Sequence, residues 1–346
     1  MADHQIPLAV QWFVSNPQYT LLKIWGSSIY REKEGIEAFV SMFPDRYSAD
    51  VLAENSRRYN LENAYSCVKE YFDRQYGYQL SSELISMYNR MLNSLHNGKE
   101  EKKFIYIDEL LQFSIIYFLT TMFIWDWKRE DADAYGICFK HILGLMNQVC
   151  IFGDAPSDRM YGEILSLLGG DTHIADLAES CFWTIITFTL AHEGAHEYMG
   201  AKRTLRQSIP SDKADVKEEF AADGIAYDMV LRNIMGEGNE PFRLENFTYL
   251  APMMYMDFFD LYYYTDRVLY KKYVVMGDHP TPAARKNALF KTVQDDKYDF
   301  DTEEGNDLYN CFLNAYDLYK DELLLKEQRG KLKPATFTDR RNRMDG

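Results

Sequence analysis

The sequence predicts a mainly α fold with a small β-sheet (α+β), and three observations carry that expectation. Over long stretches, residues 49 to 97 among them, apolar and charged positions mix without the alternation of a half-buried strand. The most apolar run, Phe113 to Trp125, has charged residues at both ends, as a buried core helix would. Gly- and Pro-containing breaks such as GDAPSD after Phe152 and GDHPTP from Gly277 separate segments long enough to be helices.

Taken in order, residues 49 to 97 read as helical, and short strands fit residues 18 to 42 or the neighbourhood of Phe104 to Ile107. Phe113 to Trp125 is shorter than the about 20 residues that a spanning helix needs, so a core helix is expected there, with a membrane-associated segment as the alternative. Residues 130 to 150 read as an amphipathic helix. Asp171 and Thr172 offer caps for a helix through Met199, which Gly200 would end. Ser211 and Asp212, after Pro210, open another helix to about Arg232, and residues 234 to 244 form a break. A long aromatic helix is expected from Leu250 to Val275, and a further one from about Pro282. A boundary near residue 150 divides a helical N-terminal region (1–150) from residues 151–325, and residues 326–346 read as a flexible basic tail.

The chain has 346 residues, 47% hydrophobic and 26% charged, enough for one large domain or two modest ones. Its net charge of -15 repels phosphate backbones, and no basic patch in the body of the chain offsets it, so nucleic-acid binding is not expected. The five cysteines (Cys67, Cys138, Cys150, Cys181, Cys311) form no C-x-x-C pair and read as buried thiols. With no basic-then-apolar leader in MADHQIPLAVQWF, a reducing, cytoplasmic setting is expected.

Chemistry concentrates at His192-Glu193-Gly194-Ala195-His196. On a helix, residues four apart share a face, so both imidazoles can reach one zinc ion. Glu193, beside the first ligand, is placed to hold a water at the metal and act as the base. Beyond it lies Glu218-Glu219-Phe-Ala-Ala-Asp223. A catalytic zinc site commonly takes two histidines and one carboxylate, and Glu219 supplies the carboxylate. Glu218 is the rival ligand, but it points about 100° away and has no carboxylate one turn on. Asp223, one turn beyond Glu219, can accept a hydrogen bond from the far nitrogen of a ligand histidine. Ala221, Ala222 and Ala226 let the two helices approach closely. His279, in the Pro-stiffened loop, either stabilises an oxyanion or takes a capping or surface role, and Tyr198 or Tyr227 could serve the oxyanion instead. Arg285 either pairs with a carboxylate near the metal or braces its helix.

His192-Glu-x-x-His196 followed by Glu219-Phe-Ala-Ala-Asp223 resembles the gluzincin metallopeptidases, in which Glu-x-x-x-Asp supplies a ligand and its hydrogen-bonding partner. His279-Pro-Thr-Pro-x-x-Arg285 is similar to an element of the M48 family of Ste24-like and HtpX-like peptidases, where His-Pro and a following Arg come after the active site. The Lit-type phage-exclusion peptidases are a second resemblance. The resemblance covers roughly residues 175 to 290, and residues 1 to 150 match none of these groups. It implies a gluzincin-like metallopeptidase domain holding Zn2+, with a small sheet at the cleft whose edge binds substrate by strand addition. The function expected is zinc-dependent endopeptidase activity on a protein or peptide. One alternative is a non-catalytic, zinc-stabilised protein-binding module on the same scaffold. Another is a metal-free protein–protein module using the Met and aromatic stripe of MMYMDFFDLYYYTD.

Overall fold

The computed structural model describes residues 60–87, 94–97, 103–147, 164, 167, 173–204, 212–237, 242–271, 280–294, 298 and 302–332. Within them the chain is mainly helical with one small sheet. Helix α1 (Leu61–Tyr76) leads into three strands, β1 (Glu83–Met87), β2 (Ser94–Asn97) and β3 (Phe104–Asp108). Then follow α2 (Glu109–Trp127), α3 (Ala132–Gly144), α4 (His173–Thr204), α5 (Asp212–Arg232), α6 (Ala251–Tyr270), α7 (Pro282–Val293) and α8 (Glu303–Gln328).

Local chemistry sets many of these boundaries. Asn60 caps α1 by accepting from Asn63 N at 2.9 Å, and Gly77, at φ 57, ends it in the left-handed conformation that glycine adopts without strain. Asp108 caps α2 through Leu110 N at 2.8 Å. Thr281 caps α7 through Ala284 N, with Pro282 at the first helical position, where its missing N–H has no partner to lose.

The sheet has the order β1-β3-β2, with β1 parallel and β2 antiparallel to β3. The strand expected near Phe104 to Ile107 is therefore present, whereas residues 18 to 42 lie outside the described residues. The helical reading of residues 49 to 97 holds for α1 but is corrected at Glu83–Met87 and Ser94–Asn97. Strands of five and four residues give too few positions for a period of two to show. Helix α6 ends at Tyr270, ahead of the expected Val275, with Lys271 in the left-handed region at φ 53. Helix α8 runs to Gln328, into the stretch read as a flexible tail, and residues 333–346 lie outside the described residues.

Helix α4 passes through the centre and packs against α1, α2, α5, α6 and β2. Its middle stretch, residues 181–191, is buried on every face because every face there meets another element. Its threonines keep that interior free of unpaired hydroxyls: Thr184, Thr187 and Thr189 each donate to the carbonyl four residues earlier. Gly194 lets α1 come close, since a Cβ there would lie 3.1 Å from both Phe72 Cε2 and Leu80 Cδ1. Gly200 does not end the helix, which continues to Thr204. Tyr198, packed against Tyr76 at 4.6 Å between ring centroids, and the buried Glu197 anchor that last stretch. Their contacts outweigh the about 1 kcal/mol helix cost of a glycine.

A single apolar core runs from Leu61 to Leu323, joining elements before and after residue 150. The run Phe113 to Trp125, read as too short to span a bilayer, belongs to a longer helix. Leu110–Trp127 and His173–Lys202 are both long and apolar enough to cross a membrane, and 89% and 78% of them is buried inside the fold.

Glu197 fastens the sheet to α4. Its carboxylate, 2% exposed, accepts from Ser81 N (2.9 Å) and Oγ (2.8 Å), Ser82 N (3.3 Å) and Oγ (2.6 Å), and Tyr78 OH (3.2 Å). Lys103 Nζ lies 3.8 Å away. Burial works against the charge, but the serine donors and Lys103 outweigh it and hold the pKa below the usual carboxylate range. Glu197→Ala should destabilise the fold by about 3 kcal/mol, because the buried donors lose their acceptor. A depressed pKa stabilises above the ordinary carboxylate range and is lost as pH falls through the folded value. The difference in thermal midpoint between native protein and variant should therefore be largest near neutrality and shrink in acid.

Candidate metal centre

Two helices and the start of a third build the cluster. Helix α4 presents His192 and His196 one turn apart, and α5 presents Glu219 and Asp223 in the same way. These helices pack directly on one another, and α7 packs on α5 to bring in Arg285. His192, Glu193 and Glu219 are 8%, 6% and 8% exposed, and Asp223 is fully buried.

His192 Nε2 and His196 Nε2 lie 3.1 Å apart. Glu219 Oε2 is 3.5 Å from the first, and Glu219 Oε1 is 3.3 Å from the second. Donor atoms of the three residues all fall within 4.8 Å of one another, and this group could hold a metal ion. Two ligands at the usual 2.0–2.1 Å from a tetrahedral zinc stand about 3.3 Å apart, so the spacing fits one ion.

The chemistry of the donors fits as well. His192 Nδ1 is 3.0 Å from Asp223 Oδ1, and His196 Nδ1 is 3.5 Å from Glu218 Oε1. The His192–Asp223 approach is a close ion-pair contact rather than an aligned hydrogen bond, since among the described residues Nδ1 has no hydrogen-bond partner; a ring proton held on that side by the carboxylate leaves the Nε2 lone pair facing Glu219. Two lone pairs and a carboxylate converging in a buried space repel unless a cation or a proton lies among them. Burial pushes the His192 imidazole down, but Asp223 and Glu219 outweigh it and hold its pKa up at about 9. Burial likewise opposes the charge on Glu219, and both imidazoles overcome it, keeping that carboxyl well below its usual range.

Asp223 is fixed from behind. Arg285 Nε and a terminal nitrogen reach its two oxygens at 2.7 and 2.5 Å, a two-point pairing in the geometry that suits a guanidinium. Burial opposes the Asp223 charge, and Arg285 followed by His192 outweighs it, lowering the pKa. Lys286, next along α7, donates to the buried Asp257 at 2.6 Å, and Tyr309 donates to the same carboxylate at 2.9 Å. Helix α7 is thereby fastened to α6 and α8.

The residues expected from the sequence divide clearly. His192, His196, Glu219, Asp223 and Arg285 come together, and Glu193, next to His192 in the chain, is buried. Of the two options for Arg285, the pairing with a carboxylate near the metal group is the one found. Glu218 stands on the outer side of His196, so Glu219 is the inward carboxylate. Two tyrosine candidates are corrected. Tyr198 is two residues beyond His196, on another face of the helix, and packs among Phe72, Tyr76 and Tyr78. Tyr227 is fully buried and donates to Tyr249 O at 2.8 Å. His279 lies outside the described residues.

Three neighbours were not anticipated. Ser94 Oγ, on β2, donates to Glu193 Oε1 at 2.7 Å. His96, two residues along the same strand, is kept toward its neutral form by burial, against the fields of Glu197 and Glu193, and its Nε2 is buried without a hydrogen-bond partner among the described residues. Tyr255 on α6 is buried within the fields of Arg285, Glu193 and Asp223, and burial raises its phenol pKa. No protein-family model, curated protein or solved structure matches the chain.

The Asp223 contact predicts a test of the metal group. Asp223→Asn should weaken Zn2+ binding by about 10- to 100-fold, and Arg285→Ala, which frees the same carboxylate, should weaken it in the same direction. Competition with a chromophoric chelator reads both.

Proposed function

We propose that this chain is a zinc-dependent endopeptidase with gluzincin-type, M48-like chemistry, hydrolysing peptide bonds of a protein or peptide substrate. The observation that carries the reading is the meeting of His192, His196 and Glu219 from two packed helices, with a buried carboxylate, Glu193, next to the first ligand. These three protein donors leave a coordination position for a small molecule, the arrangement of catalytic rather than structural zinc sites. A metal with every position filled by protein would favour the zinc-stabilised binding module, and the group found among the described residues has three protein ligands.

Bound there, Zn2+ supplies Lewis acidity toward a water and a carbonyl oxygen. The chain's own residues do the rest. Glu193 takes a proton from the attacking water and delivers it to the leaving nitrogen as the C–N bond breaks. Asp223, held by Arg285, keeps the His192 ring oriented with its Nε2 lone pair inward. Strand β2 is the outer strand of the described sheet next to β3 and lies against α4, so an extended substrate segment pairing with β2 would be brought alongside the metal group. The four described cysteines Cys67, Cys138, Cys181 and Cys311 are free thiols, which supports a cytoplasmic setting.

Mass-spectrometric mapping of new N-termini tests the reading without a known substrate. A host-cell protein extract is incubated with zinc-loaded native chain or with Glu193→Gln. Native protein should generate a defined set of new termini, and the variant, with its metal retained, should lose about 10²- to 10⁴-fold of that activity. Equal cleavage by a metal-loaded Glu193→Gln would remove Glu193 as the base.

A further inference from the structure

The base of the proposed reaction sits on α4, but its hydrogen bond comes from a strand far away in sequence. Ser94 Oγ donates to Glu193 Oε1 at 2.7 Å, and among the described residues this is the hydrogen bond that the Glu193 carboxylate makes. Glu193 is only 6% exposed, so water is a poor substitute for that donor. Oε2 has no protein donor among the described residues and is the oxygen left to exchange a proton.

The serine is itself held in place. Ser94 opposes Ile107 at one end of the β2–β3 pairing, and β2 packs on α4. Strand β3 is continuous with α2, whose cap is Asp108, and it pairs with β1, whose entry at Ser81 and Ser82 is fixed to Glu197 on α4. Ser94 and Glu193 thus face each other across a frame tied to α4 by two routes. The geometry points to Ser94 as a positioning residue for Glu193, holding one carboxylate oxygen so that the other receives the proton of a bound acid.

A free Glu side chain samples several rotamers at each torsion, and fixing it by one donor removes that freedom before the reaction starts. This assignment rests on the metallopeptidase reading. It makes the segment before residue 150 part of the reaction centre.

The test uses the cobalt-substituted full chain and acetohydroxamate as the probe. On coordinating, a hydroxamic acid gives up its O–H proton, and Glu193 is the group placed to take it. Visible cobalt absorbance reads both metal loading and probe binding. Ser94→Ala should load cobalt as the native chain does but bind acetohydroxamate about tenfold more weakly, the loss expected for one hydrogen bond to a charged group. Ser94→Thr keeps the hydroxyl and should stay close to native, which separates the hydrogen bond from a general loss of packing. Glu193→Gln should weaken the probe at least as much as Ser94→Ala. Native-like binding by Ser94→Ala alongside weakened binding by Glu193→Gln would overturn the role of Ser94 and leave the base standing. Native-like binding by both variants would overturn the base assignment and the Ser94 role together. Failure of the native chain to take up cobalt would overturn the metal reading on which both depend.

Discussion

A carboxylate with no contact with water ties three helices together at the centre of the fold. Asp223, on α5, takes the Arg285 guanidinium of α7 on one side and approaches the His192 ring of α4 on the other. A buried charge is tolerated only when it is paired and hydrogen-bonded, so each of the three helices must be where it is for the others to be stable there. The same arrangement orients His192 Nε2 toward Glu219. Stability and metal geometry therefore share one interaction, and a change that relaxes Asp223 acts on both.

A second buried carboxylate does comparable work one residue beyond the site histidines on the same helix. Glu197 follows His196 directly, yet it turns toward the start of β1 and is saturated by Ser81, Ser82 and Tyr78. It fixes the small sheet against α4, and the sheet in turn places Ser94 over Glu193. The region before residue 150, which matched no group by sequence, thus supplies a wall of the site. The acidic cluster of Glu193, Glu218, Glu219 and Asp223 has Arg285 as its fixed positive partner, a balance that favours a bound cation.

What was legible in the sequence was local. His192 and His196, and likewise Glu219 and Asp223, are pairs four residues apart, and helical periodicity alone puts each pair on one face. The central helices were legible for the same reason: their apolar runs and breaks are long compared with a turn. The contacts that cross the chain were not. Nothing near Ser94 announces a partner on α4, and strands as short as β1 and β2 leave no periodic trace. Tyr198 is near His196 in sequence, but a two-residue offset on a helix turns a side chain to another face, away from any oxyanion at the metal group. Glu197 carries a signal in the sequence: a carboxylate within a largely apolar helix needs buried donors, and the serine pair at 81 and 82 supplies them.

On the proposed reading, three side chains of α4 and α5 bind one metal ion. Elemental mass spectrometry on protein purified without a metal-affinity tag or chelator measures it directly. Close to one zinc per chain is expected, lost in His192→Ala and in Glu219→Ala and kept in Glu193→Gln. No bound metal in the native protein, even after zinc is offered to the folded chain, or full zinc in Glu219→Ala, would contradict it.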